Sequence, residues 1–410
     1  MPLPAPTPLA ARPTVALGCS GLHFPTQALR EAHESDVAPV MMHHLTGEDG
    51  SADDGPRELL AATAAALEKA GHTTAWGAGC VVRTTADAAA FATAGFTWFS
   101  FELGNLPDTR ADSMSLVELD AAVVALEDTG CYAQGWHAHY TDREWPLPSG
   151  RVLRLGDESL ARAAVKYGRA LAEAAQWQQA IRTLWTGRGL APDIELNFAG
   201  RRDRWSAEEF LFLALETARS GLGPVCISPS LGPAWQPGAE FDGDQTELAA
   251  MLALAGEIAA LACPLKVGIR HAAGKSCLRE IALHAPARGH ANCKEDGAPT
   301  GLSAPQFVAR CHANFEEAAA LATLDALARG QPELFRHWLC VAQEMFPFAA
   351  GGAALAITEE DIHALPQVAD ADLPATFLAD LRGRQLLLPT FPDVLRRDRV
   401  LREAIRSPRF

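Results

Sequence analysis

Short apolar runs alternate along this chain with long Ala/Leu/Glu-rich stretches whose apolar residues recur at helical spacing. The short runs read as strands: "TVALGC" (14–19), "APVMMHH" (38–44), "TTAWGAGC" (73–80), "WFSFELG" (98–104), "DIELNFA" (193–199), "PVCISPS" (224–230), "KVGIRH" (266–271) and the weaker "HANCK" (290–294). Between them, "PRELLAATAAALEKAG", "SLARAAVKYGRALAEAAQWQQAIRTLW", "SAEEFLFLALETARSG" and "ELAAMLALAGEIAALA" predict helices, several of them closed by glycine. Such alternation is the mark of repeated βα units and a parallel sheet. Eight strands within residues 14–330 predict a TIM-like (β/α)8 barrel of the α/β class, with its site loops at the strand C-termini. A doubly wound open sheet is the alternative that the same pattern allows.

Three stretches fall outside the repeat. The Pro/Ala-rich residues 1–13 predict a loose, disordered arm. Residues 105–160 form a long polar insertion after the fourth strand, and residues 331–410 a helical C-terminal extension packed on the barrel.

Charge and cysteine usage narrow the partners. The formal net charge of -15 disfavours a phosphate backbone, so "GRRDR" (200–204) and "RRDRVLREAIRSPR" (396–409) read as solvated faces and no nucleic-acid partner is expected. Nine cysteines without a C-x-x-C pair fit neither a disulfide framework nor a zinc ribbon. The N-terminus lacks a signal-peptide core and no segment offers 18 uncharged apolar residues, so no membrane contact and a cytoplasmic protein are expected.

Candidate chemistry follows from side-chain alternation along strands. With Ile194, Leu196 and Phe198 packed on helices, Asp193, Glu195 and Asn197 point into the barrel; Ser100, Glu102 and Gly104 do the same on the fourth strand, and Cys226, Ser228 and Ser230 on the sixth. Buried polar groups without partners cost about 1 to 3 kcal/mol each, so this inward polarity calls for a hydrophilic binding mouth. Glu195 suits an acid/base or metal-binding carboxylate, with a buried ion pair as the plainer reading. His271 shares a face with Val267 and Ile269, yet Arg270 on the other face leaves the parity of that strand open. His43 and His44 are adjacent and face opposite ways; His137 and His139 read as surface residues of the insertion. Lys275 follows Gly274 without the spacing of a phosphate loop, and no G-x-G-x-x-G supports a dinucleotide.

The order of "LARAAVKYGRALAEA", "IELNFAG", "EEFLFLALETARSGLGPVCISPSLG", "PGAEFDGD", "KVGIRHAAGKS", "QPELFRHWL" and "LPATFLADLRGRQLLLPTF" resembles the tagaturonate/fructuronate epimerase family of sugar-acid isomerases. The resemblance implies a divalent-metal-dependent epimerisation of a keto-uronic acid next to its carbonyl, by proton removal and return on opposite faces. Residue by residue, Glu195 and His271 match the family pattern. The Asp-His pair expected after the third strand falls on Cys80 and Val81, the eighth-strand histidine falls near Asn292 with His290 close by, and Lys294 keeps the lysine beyond it. Further family positions fall on Gln27, Asn105, Ala199 and Gly200.

The resulting expectation is a catalytic pair of Glu195 and Lys294. Glu102, Asn197, Ser228 and Lys275 are expected to bind substrate, and Cys80, His271 and His290 to bind a divalent metal ion. A zinc-type site needs at least three protein ligands, so His271 alone cannot hold one. Two readings stand: a sugar-acid isomerase, ancestral or altered in substrate, and a non-catalytic relative that binds a sugar acid or a partner protein. Both leave room for a homo-oligomer.

Overall fold

The computed structural model describes residues 3–10, 12, 14–18, 29, 33, 38–43, 55–186, 190–199, 203–235, 241–262, 265–270, 337 and 399–400. Local chemistry marks where the helices begin. Helix α1 (Pro56–Lys69) opens on proline, whose missing N–H has no partner in a first turn anyway. A capping box starts α2 (Thr85–Ala94) from Thr84 and Asp87, α3 (Leu116–Asp128) from Ser115 and Glu118, and α5 (Ala207–Arg219) from Ser206 and Glu209. Asp157 and Glu158 sit in the first turn of the long α4 (Asp157–Trp185), where carboxylates favour the positive end of the helix dipole. The Asp244 side chain caps α6 (Gln245–Leu261).

Seven parallel strands form one sheet: β1 (Thr14–Gly18), β2 (Ala38–His43), β3 (Gly77–Val82), β4 (Trp98–Glu102), β7 (Asp193–Asn197), β8 (Cys226–Ser228) and β9 (Lys266–Val267), neighbours in that order. Strands β5 (Trp145–Pro146) and β6 (Val152–Leu153) make a separate antiparallel hairpin within the insertion, beside α3 and two short 3-10 turns at Thr109–Ser113 and Trp136–His139. The sheet register aligns Ser100, Glu195, Cys226 and Lys266 across four adjacent strands.

The sheet curls on itself. Strands β1 and β9 lie at opposite ends of the strand order, which in a flat sheet would separate them by about 29 Å at 4.8 Å per strand. Yet Lys266 Nζ donates to Thr14 Oγ1 at 3.2 Å and sits 5.2 Å from the centre of the Trp98 ring on β4. Only a sheet whose inner face closes toward itself brings those side chains together. The outer face is apolar: Leu17, Met41, Cys80, Phe99, Phe101, Leu196 and Ile227 join Phe91, Trp177 and Phe210 of the helices in the main core. On the inner face a smaller cluster contains Leu9, Val40, Met42, Val81, Trp98 and Cys226.

The described residues thus draw the first seven strands of the expected barrel and four helices at the expected places. The eighth strand (290–294) and most of the extension (331–410) lie outside the described residues. Residues 3–10, expected as a loose arm, are instead pinned to the lower end of the sheet. Thr7 N–H donates to Trp76 O at 3.0 Å, Trp76 Nε1 to Pro4 O at 2.7 Å, and the Asp193 carboxylate accepts from the N–H groups of Leu9 and Ala10 at 2.5 and 3.1 Å. The arm holds because it supplies backbone partners to a buried carboxylate and puts Leu9 into the inner cluster.

Candidate functional site

Strand parity decides which side chains meet inside the curl. On β4 the inner residues are Trp98, Ser100 and Glu102; on β7, Asp193, Glu195 and Asn197; on β8, Cys226 and Ser228. They converge on Glu195, which is buried. Its Oε1 accepts from Ser228 Oγ at 2.6 Å and from Arg270 Nε at 2.8 Å. Its Oε2 accepts from Trp98 Nε1 at 3.3 Å and from Arg270 Nη2. Arg270 Nη2 also donates to Ser100 Oγ at 2.6 Å, so one guanidinium from beyond β9 ties β4 to β7. The Trp235 indole N–H, at 2.7 Å from the Arg270 carbonyl oxygen, fixes the backbone from which that side chain reaches.

Packing above Ser228 is tight enough to dictate a glycine. A Cβ on Gly268 would stand 1.9 Å from Ser228 Oγ and 2.9 Å from Cys226 Sγ, so only glycine lets β9 lie against the hydroxyl that holds Glu195.

The two inner carboxyls differ in proton affinity. Burial pushes the Glu195 carboxyl up, but the charge and hydrogen bonds of Arg270, with help from Ser228, bring it below the ordinary glutamate value. Glu102, partly exposed at the mouth, is held above that value by burial, which outweighs the nearby Arg270 and Arg83; the negative Glu195 adds to the rise. Asn197 Nδ2 donates to Glu102 Oε2 at 3.3 Å, and Asn197 Oδ1 accepts from Ala199 N–H at 3.0 Å. Carboxyls pushed apart in this way are the raw material of acid/base chemistry: one is biased toward the anion, the other toward the protonated form.

The structure therefore brings Glu195, Glu102, Asn197 and Ser228 onto one inner face, as their parity predicted. Cys80 is not among them. It pairs in register with the outward Phe99, lies in the helix-facing core, and directs Sγ to the Trp98 carbonyl oxygen at 3.6 Å. Val81 takes the inner position of that strand. Burial pushes the Cys80 thiol well up, which opposes the thiolate a metal needs. His271, Lys275, His290 and Lys294 lie outside the described residues.

The described residues do not fit a divalent ion. Both Glu195 oxygens are occupied, with a guanidinium as partner to each, Cys80 faces away, and no group of three or more His, Cys, Asp or Glu side chains that could hold a metal occurs among the described residues. His43, on the outer face of β2, bonds Thr63 Oγ1 at 2.8 Å and meets Phe96 edge-on, and burial lowers it to about 4, so it is a neutral packing residue. His137 and His139 are exposed, as expected for the insertion.

Sequence reasoning did not single out Arg270, Trp98 or Ser100 as a unit. Parity did mark Ser100 as inward, but the partners of Arg270 lie 75 and 170 residues away, and no local pattern encodes that meeting. A second charged cluster was also missed. Lys166 of α4, 3% exposed, bonds Asp112 of the insertion at 3.0 Å, Asp203 at 3.0 Å and Glu209 of α5 at 2.7 Å. It borders a cavity of about 280 Å3 outside the sheet, lined also by Arg162 and Arg204. The signal was present in "AAVKYG", a lone lysine on the apolar stripe of its helix.

A curled parallel sheet wrapped by helices, with charged groups gathered inside its strand C-termini, defines a barrel-like α/β protein with a polar mouth. The chain belongs to the tagaturonate epimerase family, whose model it matches over residues 3–276. Crystal structures of fructuronate-tagaturonate epimerase UxaE from Cohnella laeviribosi share the fold. One with one glycerol gives a TM-score of 0.63 at 19% identity, covering 96% of this chain and 75% of that one. The native form gives 0.61 at 18%, covering 93% and 72%, and the form with two glycerols gives 0.63 at 19%, covering 96% and 75%. No curated protein sequence matches the chain. No helix among the described residues is long and apolar enough to cross a membrane.

Proposed function

We propose that this protein binds a keto-uronic acid at the strand C-terminal mouth of its sheet and interconverts its epimers with an inner carboxyl as proton carrier, as an epimerase of its family. The observation that carries this reading is the split pair of inner carboxyls. Burial makes Glu102 at the mouth hold a proton more tightly than an ordinary glutamate, and Arg270 makes Glu195 below it hold one less tightly. Glu102 is then the group that gives or takes the proton, Asn197 orients it, and Glu195 serves as the anchor of Arg270 rather than as the free base. A carboxyl tuned upward is suited to this work because its proton affinity lies nearer the working pH.

The occupied state of Glu195 favours a second reading, a non-catalytic sugar-acid binder, since a carboxylate bonded on both oxygens cannot easily abstract a proton. NMR of D-tagaturonate and D-fructuronate with the purified protein in deuterated water separates the two. Interconversion of the two acids supports the enzyme; Glu102→Gln should then lower the rate by about 100-fold or more, the usual size of a lost acid/base group. Binding without interconversion selects the binder. Absence of both binding and interconversion refutes both.

A further inference from the structure

Beside Glu195 inside the sheet, Arg270 has hydrogen-bonding capacity left over. A guanidinium carries five N–H donors. The Nε donor is spent on Glu195, and Nη2 serves Glu195 and Ser100. Both donors of Nη1 have no partner among the described residues. The side chain as a whole is 15% exposed, shielded from bulk water yet not sealed. Nor is the group free to turn away: the two-point contact with Glu195 fixes its plane, and Trp235 fixes its backbone. A planar, always-charged donor held rigid with one edge open is the arrangement that favours carboxylate recognition over a flexible ammonium.

We propose that Arg270 is the specificity residue of this site, receiving the carboxylate of a small sugar acid through Nη1 while Glu195 holds its other edge. The inference rests on the sugar-acid reading above and deepens it by naming the group that distinguishes an acid from a neutral sugar. Charge balance points the same way. Glu195 already offsets Arg270 one to one, so an arriving carboxylate adds one negative charge beside Glu102, which favours the protonated form of Glu102. Among the described residues, the charged groups acting on Glu102 are Arg270, Arg83 and Glu195. Binding of the acid should therefore weaken as pH rises and Glu102 loses its proton.

The test is calorimetric titration of the purified full chain with D-tagaturonate and with D-tagatose, its neutral counterpart bearing a hydroxymethyl group in place of the carboxylate. Wild type should prefer the acid by about 100-fold, the scale of a buried charge-assisted bond. Arg270→Lys, which keeps the charge and loses the fork, should cut that preference about tenfold. The double variant Glu195→Leu/Arg270→Met removes both charges together, which protects the fold, and should bind the two sugars alike with an unfolding midpoint near that of wild type. A folded double variant that still prefers the acid overturns the assignment. Equal wild-type affinity for both sugars overturns it too and leaves the sugar site standing, whereas wild type binding neither removes the sugar site and the assignment with it.

Discussion

Two buried charge clusters, one inside the sheet and one outside it, are balanced in opposite ways. Around Lys166 one ammonium faces three carboxylates, contributed by the insertion, the loop after β7 and the start of α5. Inside the sheet one carboxylate faces one guanidinium, with two hydroxyls and an indole completing the shell. The first cluster is over-supplied with acceptors and gathers four chain segments around one point, which is how a fastening is built. The second is matched one to one and keeps unused donors, which is how a site is left ready for a ligand. A cavity by itself would point the wrong way, since the described one borders the fastening. The stoichiometry of charge separates the two better than the volume beside them.

The sharpest way to break this contrast is to orphan each cluster in turn. Arg270→Met leaves Glu195 ionised, buried and without its counter-charge, and should destabilise the protein by about 3 to 5 kcal/mol in urea unfolding. Adding Glu195→Leu should return most of that loss. If the double variant is no more stable than the single one, the pair is not the simple one-to-one match described.

Lys166→Met should cost less, about 2 to 3 kcal/mol, because two of its three carboxylates are 43% and 30% exposed on their side chains and can regain water. The two clusters share no partner, so Lys166→Met and Arg270→Met should add within about 0.5 kcal/mol. Strong coupling between them would merge the two regions into one network.

The clusters should also titrate from opposite ends of the pH scale. Glu195 has a lowered folded value. Its contribution is complete above the unfolded value of 4.5 and is lost as pH falls through the folded one. Lys166 is lowered by burial but raised, on balance, by Glu209, Asp112 and Asp203. Its contribution is complete below 10.5 and is lost as pH rises through the folded value. The stability gap between wild type and Lys166→Met should therefore narrow in alkali, while the gap to Arg270→Met should not. The smallest expected effect lies in the insertion itself. Ser115→Ala removes an exposed cap of α3 and should lower the unfolding midpoint by an amount equivalent to about 0.5 to 1 kcal/mol, leaving uronate binding unchanged.

Much of this was legible in the residues. Alternation of apolar and polar positions located seven strands and correctly turned Ser100, Glu102, Glu195, Asn197 and Ser228 inward, because one face of each strand had to meet helices. The third strand was placed four residues too early, at Thr73 instead of Gly77, since Trp76 packs like a strand residue but serves the arm through its indole N–H. Family resemblance puts Cys80 in a ligand set, but resemblance carries no information about strand face, and register with Phe99 turns it outward. Arg270 was visible only as an ambiguity of parity. What makes it central is the curl of the sheet, which brings β9 opposite β4, and curl is a property of all the strands together rather than of any window of sequence.

The pinned segment from Leu3 to Ala10 has a consequence for traffic. With Leu9 seated among Val40, Met42 and Trp98, and Asp193 gripping its backbone, the described sheet has a floor, and the polar layer lies above it. Among the described residues the interior is then closed at its lower end. A molecule bound for Arg270 and Glu102 would meet Leu9 from below and find the polar layer facing the rim, so entry and departure on the described side share that rim.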